Sequence, residues 1–143
     1  MIYAVPFEAK HFTQMLVQKE QEWLKNHATV ESLSGLEGPY ASTLMCDGRP
    51  LACAGAAPYE PHRALVWSFL SDEVDRWTFP YVHAEAVKFL ARLPFRRLEA
   101  SVLVGFEQGH RWMRLLGFTV EAPLQRAFLP DGSDCVGYVK IKE

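Results

Sequence analysis

Three side chains in the second half of the chain, Glu99, Glu107 and His110, are of the kind that takes a proton from a reacting group near neutral pH. A second cluster offers hydrogen-bond donors to an anion. Arg76, the backbone N–H groups of Trp77 and Thr78, and the Thr78 hydroxyl would lie at a helix start, where peptide dipoles favour negative charge. Pro80 removes one N–H from that turn, and Asp72, Glu73 and Asp75 bring like charge to it, so the same residues also read as a capped helix start. The three candidate bases likewise have an ordinary reading, as surface residues.

Other chemistries find less support. Cys46, Cys53 and Cys135 are odd in number and show no C-x-x-C spacing, which predicts reduced, mostly buried thiols. The five histidines include no i, i+4 pair that would place two imidazoles on one helix face, so no metal is expected. The net charge is −2, yet residues 1–75 carry five basic against ten acidic side chains and residues 76–143 carry ten against seven. Arg76, Arg92, Arg96, Arg97, Arg111 and Arg114 could face a phosphorylated ligand or simply solvent. No basic stripe interleaved with aromatics argues for nucleic acid.

The elements that must position these groups follow from periodicity and turn chemistry. A length of 143 residues with 49% hydrophobic and 22% charged side chains suits one globular domain. No apolar run approaches the roughly 20 residues of a membrane helix, and no signal peptide is legible at the N-terminus, so a soluble, cytoplasmic protein is expected. Ile2 to Val5 reads as a strand. Glu8 to about Asn26 reads as one helix, with Phe12, Met15, Leu16, Trp23 and Leu24 roughly on a stripe and Asn26-His27 as its stop. Residues 28–39 read as a loop with one short helical turn.

Tyr40 to Cys46 and Leu51 to Ala57 flank Asp47-Gly48, a dipeptide suited to a type I′ turn, and therefore form a hairpin. A two-residue turn sets Cys46 opposite Arg49 and Cys53 opposite Ser42. Ala64 to Leu70, apolar almost throughout, reads as a central strand covered on both faces. Thr78-Phe79-Pro80 then opens a helix bearing Val82, Ala86, Phe89, Leu90 and Leu93, closed by Pro94. Leu98 to Val104 is the next strand, and Glu107 to Leu116 a helix with Trp112, Met113 and Leu116 facing inward, His110 on the exposed side and Gly117 just past its end. Asp131-Gly132 marks a turn before a last strand, Cys135 to Ile141.

That order, above all Leu116-Gly117-Phe118 after an amphipathic helix and then a strand, turn and strand to Ile141, resembles the Gcn5-related N-acetyltransferase (GNAT) superfamily over nearly the whole chain. The resemblance extends to small phage-encoded members of that type. It implies an α/β (α+β) fold: a mixed, mostly antiparallel sheet of six to seven strands, helices on both faces, and a central splayed parallel pair. Ala64 to Leu70 and Leu98 to Val104 would be that pair. Acetyl-CoA would lie in the opening, its pantetheine arm gripped by free backbone groups near Leu70 and Ser71 and its pyrophosphate by Arg76, Trp77 and Thr78.

The superfamily's phosphate-loop glycines are missing from Asp75 to Pro80, Met113 stands where a proton-donating tyrosine is common, and Phe106 where an asparagine is. Two readings follow from the resemblance. One is a divergent N-acetyltransferase acting on an amine, with Glu99, Glu107 or His110 as base. The other is a catalytically degenerate GNAT-like protein, an accessory or assembly protein of a phage that works through a protein partner in the host cytoplasm or the virion. Either is compatible with a homodimer.

Overall fold

The computed structural model describes residues 1–23 and 29–143. Its strands are β1 (Ile2–Pro6), β2 (Ala41–Cys46), β3 (Arg49–Glu60), β4 (Arg63–Leu70), β5 (Arg97–Leu103), β6 (Thr119–Gln125) and β7 (Cys135–Ile141). They form one sheet in the order β1-β2-β3-β4-β5-β7-β6, mostly antiparallel, with β4 and β5 parallel. Helices described are α1 (Ala9–Thr13), α2 (Val30–Ser34), α3 (Phe79–Arg92) and α4 (Glu107–Leu115). No described helix is long and apolar enough to cross a membrane. The chain packs as two compact units, one of Met1–Ala57 with Trp67–Leu93 and the other of Pro58–Val66 with Pro94–Glu143.

In the first unit, Asp47 and Gly48 both take positive φ, 50° and 79°, the pair a type I′ turn requires. Cys46 pairs with Arg49 as expected, but the register slips between Leu44 and Met45, so Cys53 faces Thr43 rather than Ser42. An extra residue in β3 is what shifts the register, and a bulge of this kind leaves no signature in the turn that nucleates the hairpin.

The expected helix from Glu8 is also broken. It ends at Thr13; Met15 and Val17 then alternate inward around an exposed Leu16, and a short 3-10 turn follows at Lys19–Gln21. Alternation is an extended pattern, and Val17 forms an antiparallel bridge with Ser71. The expected stop at Asn26-His27, with Leu24, lies outside the described residues. Phe7, Phe12, Met15, Val17, Leu33 and Phe69 make the core of this unit.

His11 belongs to that core and is 5% exposed. Its Nδ1 accepts the Glu8 N–H at 3.1 Å and lies 2.8 Å from Thr43 Oγ1, which in turn lies 3.5 Å from Cys53 Sγ. Burial pushes the Cys53 thiol up to about 11 and holds the His11 pKa below its ordinary 6.5. An unfolded chain therefore binds a proton at His11 that the native chain does not. The resulting stability is complete above about pH 6.5 and declines as pH falls toward the folded value, by at most about 1.4 kcal/mol per pH unit. Urea titrations from pH 7.5 to 5 should show this slope, and a His11→Gln variant should flatten it; an unchanged slope would assign the effect elsewhere.

In the second unit the parallel ladder spans Arg63↔Arg97, Ala64↔Leu98 and Leu65↔Glu99. β5 alternates strictly, with Leu98, Ala100 and Val102 buried, and pairs along its length with β7, which also carries β6. Side chains of β4 from Leu65 to Ser68 are only half-buried, short of the complete cover expected of this strand. On α4 the buried residues are Gly109 and His110, while Trp112 and Met113 are half-buried. The helix is thus rotated from the expected orientation. Lys140 Nζ donates to the Leu116 carbonyl at 2.6 Å, satisfying an orphan acceptor at the helix end.

Candidate functional site

Leu70, Ser71, Arg76, Trp77 and Thr78 all fall in the first unit, and Glu99, Glu107 and His110 all fall in the second.

The backbone expected to be free near Leu70 and Ser71 is already bonded. Gln18 N–H donates to the Leu70 carbonyl at 3.0 Å, and Asp72 N–H donates to the Leu16 carbonyl at 2.7 Å. The Gln21 carboxamide spans two residues of β4: Nε2 donates to the Ser68 carbonyl at 2.7 Å and Oε1 accepts the Leu70 N–H at 2.9 Å. Alternate residues of a strand point their N–H and C=O groups to one edge, so Ser68, Leu70 and Asp72 share an edge and the segment 16–21 lies along it. Ser71 N–H points the other way, to the Leu51 carbonyl at 2.9 Å.

At the start of α3 the donors are likewise engaged. Asp75 Oδ1 accepts the Trp77 N–H at 2.9 Å and the Thr78 N–H at 3.0 Å, and the Thr78 hydroxyl lies 3.1 Å from the same oxygen. The expectation that this hydroxyl caps α3 is therefore corrected: Thr78 is the N-cap residue but makes no side-chain cap bond. The backbone bonds from Thr78 and Trp77 hold the Asp75 carboxyl below the usual carboxylate range. The Arg76 guanidinium stacks on the Trp77 ring, 4.9 Å from its centroid, and Trp77 is 71% exposed. An anion at this turn would find a carboxylate on the N–H groups it needs.

Of the three candidate bases, Glu99 is bound by Arg63 Nε and by Arg97 Nε at 2.8 Å, while Arg97 Nη1 also donates to Glu121 at 3.0 Å. The hydrogen bond from Arg63, with that from Arg97, lowers the Glu99 pKa, which makes its carboxylate a weak base. Glu99 lines a cavity of about 200 Å³ with Tyr59, Ser101, Gln125 and Phe128.

His110, expected on the exposed side of its helix, is instead buried, at 8% exposure. Its Nε2 lies 3.0 Å from the Leu103 carbonyl and its Nδ1 2.6 Å from the Tyr138 hydroxyl. A carbonyl only accepts, so the proton sits on Nε2, and Nδ1 accepts from the tyrosine. Both ring nitrogens are committed to the fold. Glu107 is exposed in the first turn of α4.

Sequence reasoning missed Gln18, Gln21 and Tyr138. The alternation of Met15 and Val17 is the signal that the chain turns extended before Gln18. For Tyr138 no local pattern names its partner, which lies 28 residues away.

No family model and no curated protein matches this sequence. Solved structures do resemble it. Ard1 from Thermoplasma volcanium shares 16% identity at a TM-score of 0.79, over 99% of this chain and 98% of that one. An acetyltransferase of the GNAT family from Bacillus cereus shares 11% at 0.73, over 100% and 99%. The ribosomal L7/L12 alpha-N-protein acetyltransferase RimL, in complex with coenzyme A, shares 17% at 0.69, over 98% and 93%. At these identities the likeness is one of fold: the chain has the fold of the GNAT acetyltransferases.

Proposed function

We propose that this chain is a divergent GNAT-type N-acetyltransferase, which takes acetyl-CoA along the edge of β4 that carries Ser68 and Leu70 and at the turn before α3, and passes the acetyl group to an amine. One observation supports this most. The backbone groups at those two places hold a carboxamide and a carboxylate, from Gln21 and Asp75. These are the functional classes that a pantetheine arm, with its amides, and a pyrophosphate present. The donor and acceptor set therefore suits acetyl-CoA, once those side chains give way.

Acetyl transfer from a thioester to an amine asks for a deprotonated amine, close approach and N–H groups to polarise the carbonyl. Backbone donors orient the thioester. Glu99 is tied to two arginines and His110 to Leu103 and Tyr138, so neither is offered as the base in this reading. Met113 offers no proton to the departing thiolate, which leaves that step to solvent and favours slow turnover. A peptide N-terminus is the acceptor to try first, by analogy with the named substrate of RimL.

Acetyl-CoA at about 1 mM should raise the melting temperature, since a ligand bound only by the native state stabilises it by RT ln(1 + [L]/Kd). Desulfo-CoA should do so as well. The reading is overturned if neither ligand shifts the melt and peptide amines release no free CoA thiol.

The missing proton donor and the exposure of Trp77 and Tyr81 near the α3 start favour a second reading. In it the chain is a GNAT-fold protein without catalysis, an accessory or assembly protein that binds a protein partner through such aromatic anchors.

A further inference from the structure

We infer that the segment Leu16–Gln21 is a strap that closes the cofactor edge of β4, so that the described form of the protein is self-inhibited and acetyl-CoA enters only when the strap lifts. This rests on the acetyl-CoA reading of the same edge. The strap adds to β4 as a short extra strand: the Asp72 N–H to Leu16 carbonyl bond, the Gln18 N–H to Leu70 carbonyl bond, and the Val17–Ser71 bridge between them. Gln21 then continues the pattern with its side chain, replacing a peptide group by a carboxamide on Ser68 and Leu70. The Ser68 carbonyl and both backbone groups of Leu70, which a pantetheine amide would use, are thereby satisfied.

The strap is pinned at the buried Val17 and held weakly beyond it. Between the core residues Met15 and Val17 sits the exposed Leu16, and Lys19 and Glu22 are exposed while Gln18 and Gln21 are half-buried. Its hold on β4 beyond Val17 consists of the bonds from Gln18 and Gln21, each of which a ligand amide could exchange for its own at little net cost. Such exchange is the chemistry of strand addition, where an incoming extended group replaces a resident one on the same edge.

The bridge supplies a reversible test. Val17 and Ser71 are flanked by the hydrogen bonds of their neighbours, which makes them a non-hydrogen-bonded antiparallel pair with Cα atoms about 4.5 Å apart, within disulfide range. In a Val17→Cys/Ser71→Cys variant the oxidised form should lose acetyl-CoA binding by isothermal titration, and dithiothreitol should restore it. A loosened strap should do the reverse. Gln18 has φ −61° and ψ 152°, which proline adopts without strain, so Gln18→Pro removes the backbone donor, along with the glutamine side chain, without distorting the turn. Combined with Gln21→Ala, it should tighten acetyl-CoA binding at least about tenfold, the effect of roughly 1.4 kcal/mol of strap contacts no longer displaced.

If oxidised and reduced forms bind alike while wild-type binds, the strap is refuted and the acetyl-CoA reading stands. If the folded Gln18→Pro/Gln21→Ala variant and wild-type both fail to bind at millimolar ligand, both are overturned.

Discussion

Gly55→Ala should destabilise the first unit by about 2–3 kcal/mol and lower the melting temperature by roughly 5–10 °C. A methyl group on Gly55 would sit 2.3 Å from Cζ2 and 2.6 Å from Cε2 of Trp67, inside any permitted contact. The indole has little room to retreat. Phe7 meets it edge-on at a centroid distance of 5.1 Å and Phe69 lies 5.0 Å away on the same strand, both buried. β3 must therefore move, or the ring must leave its rotamer, and either response disturbs the core that holds Phe12 and Met15. A double-mutant cycle isolates the cause. In a Trp67→Leu background the same Gly55→Ala change should cost at least about 1 kcal/mol less, because the obstructing ring is gone. Additive costs would show that the contact does not govern the site.

His110→Ala should cost about 2–4 kcal/mol, more than Tyr138→Phe at about 1–2 kcal/mol. Deleting the imidazole leaves the buried Tyr138 hydroxyl without its partner, takes one of two donors from the Leu103 carbonyl, which also accepts the Phe106 N–H at 3.1 Å, and opens a cavity. Deleting the hydroxyl leaves one ring nitrogen unpaired. Chemical denaturation of the two variants measures the order directly. A histidine that serves as a base would behave otherwise: its loss would slow acetyl transfer while leaving the denaturation midpoint near wild-type. Full stability of His110→Ala would remove the structural role assigned here and return His110 to the catalytic candidates.

The same residue shows where sequence reading runs short. Helical periodicity identified α4 and its end at Gly117, but Trp112 and Met113 are apolar enough to outvote a histidine for the inward face. What reverses that vote is a pair of acceptors and donors, on Leu103 and Tyr138, that exist only once β5 and β7 are paired. Glu99 is a similar case. Its place on a strand was legible, but the bond it accepts from Arg63, 36 positions away, depends on the parallel pairing of β4 with β5.

The sequence by itself determined the order of the strands and main helices, the Asp47-Gly48 hairpin turn, the start and stop of α3, and the final strand ending at Ile141. These rest on interactions between residues near one another in the chain: turn dihedrals, capping positions and the periods of helix and strand. The tertiary structure decided the bulge that sets Cys53 against Thr43, the breaking of the first helix after Thr13, and the engagement of the cofactor edge by Gln18 and Gln21. In each of these a residue bonds to a partner about 10 to 50 positions away. Local propensity carries no term for such a partner, and the backbone of β4 takes whichever group, from the chain or from a ligand, reaches its edge.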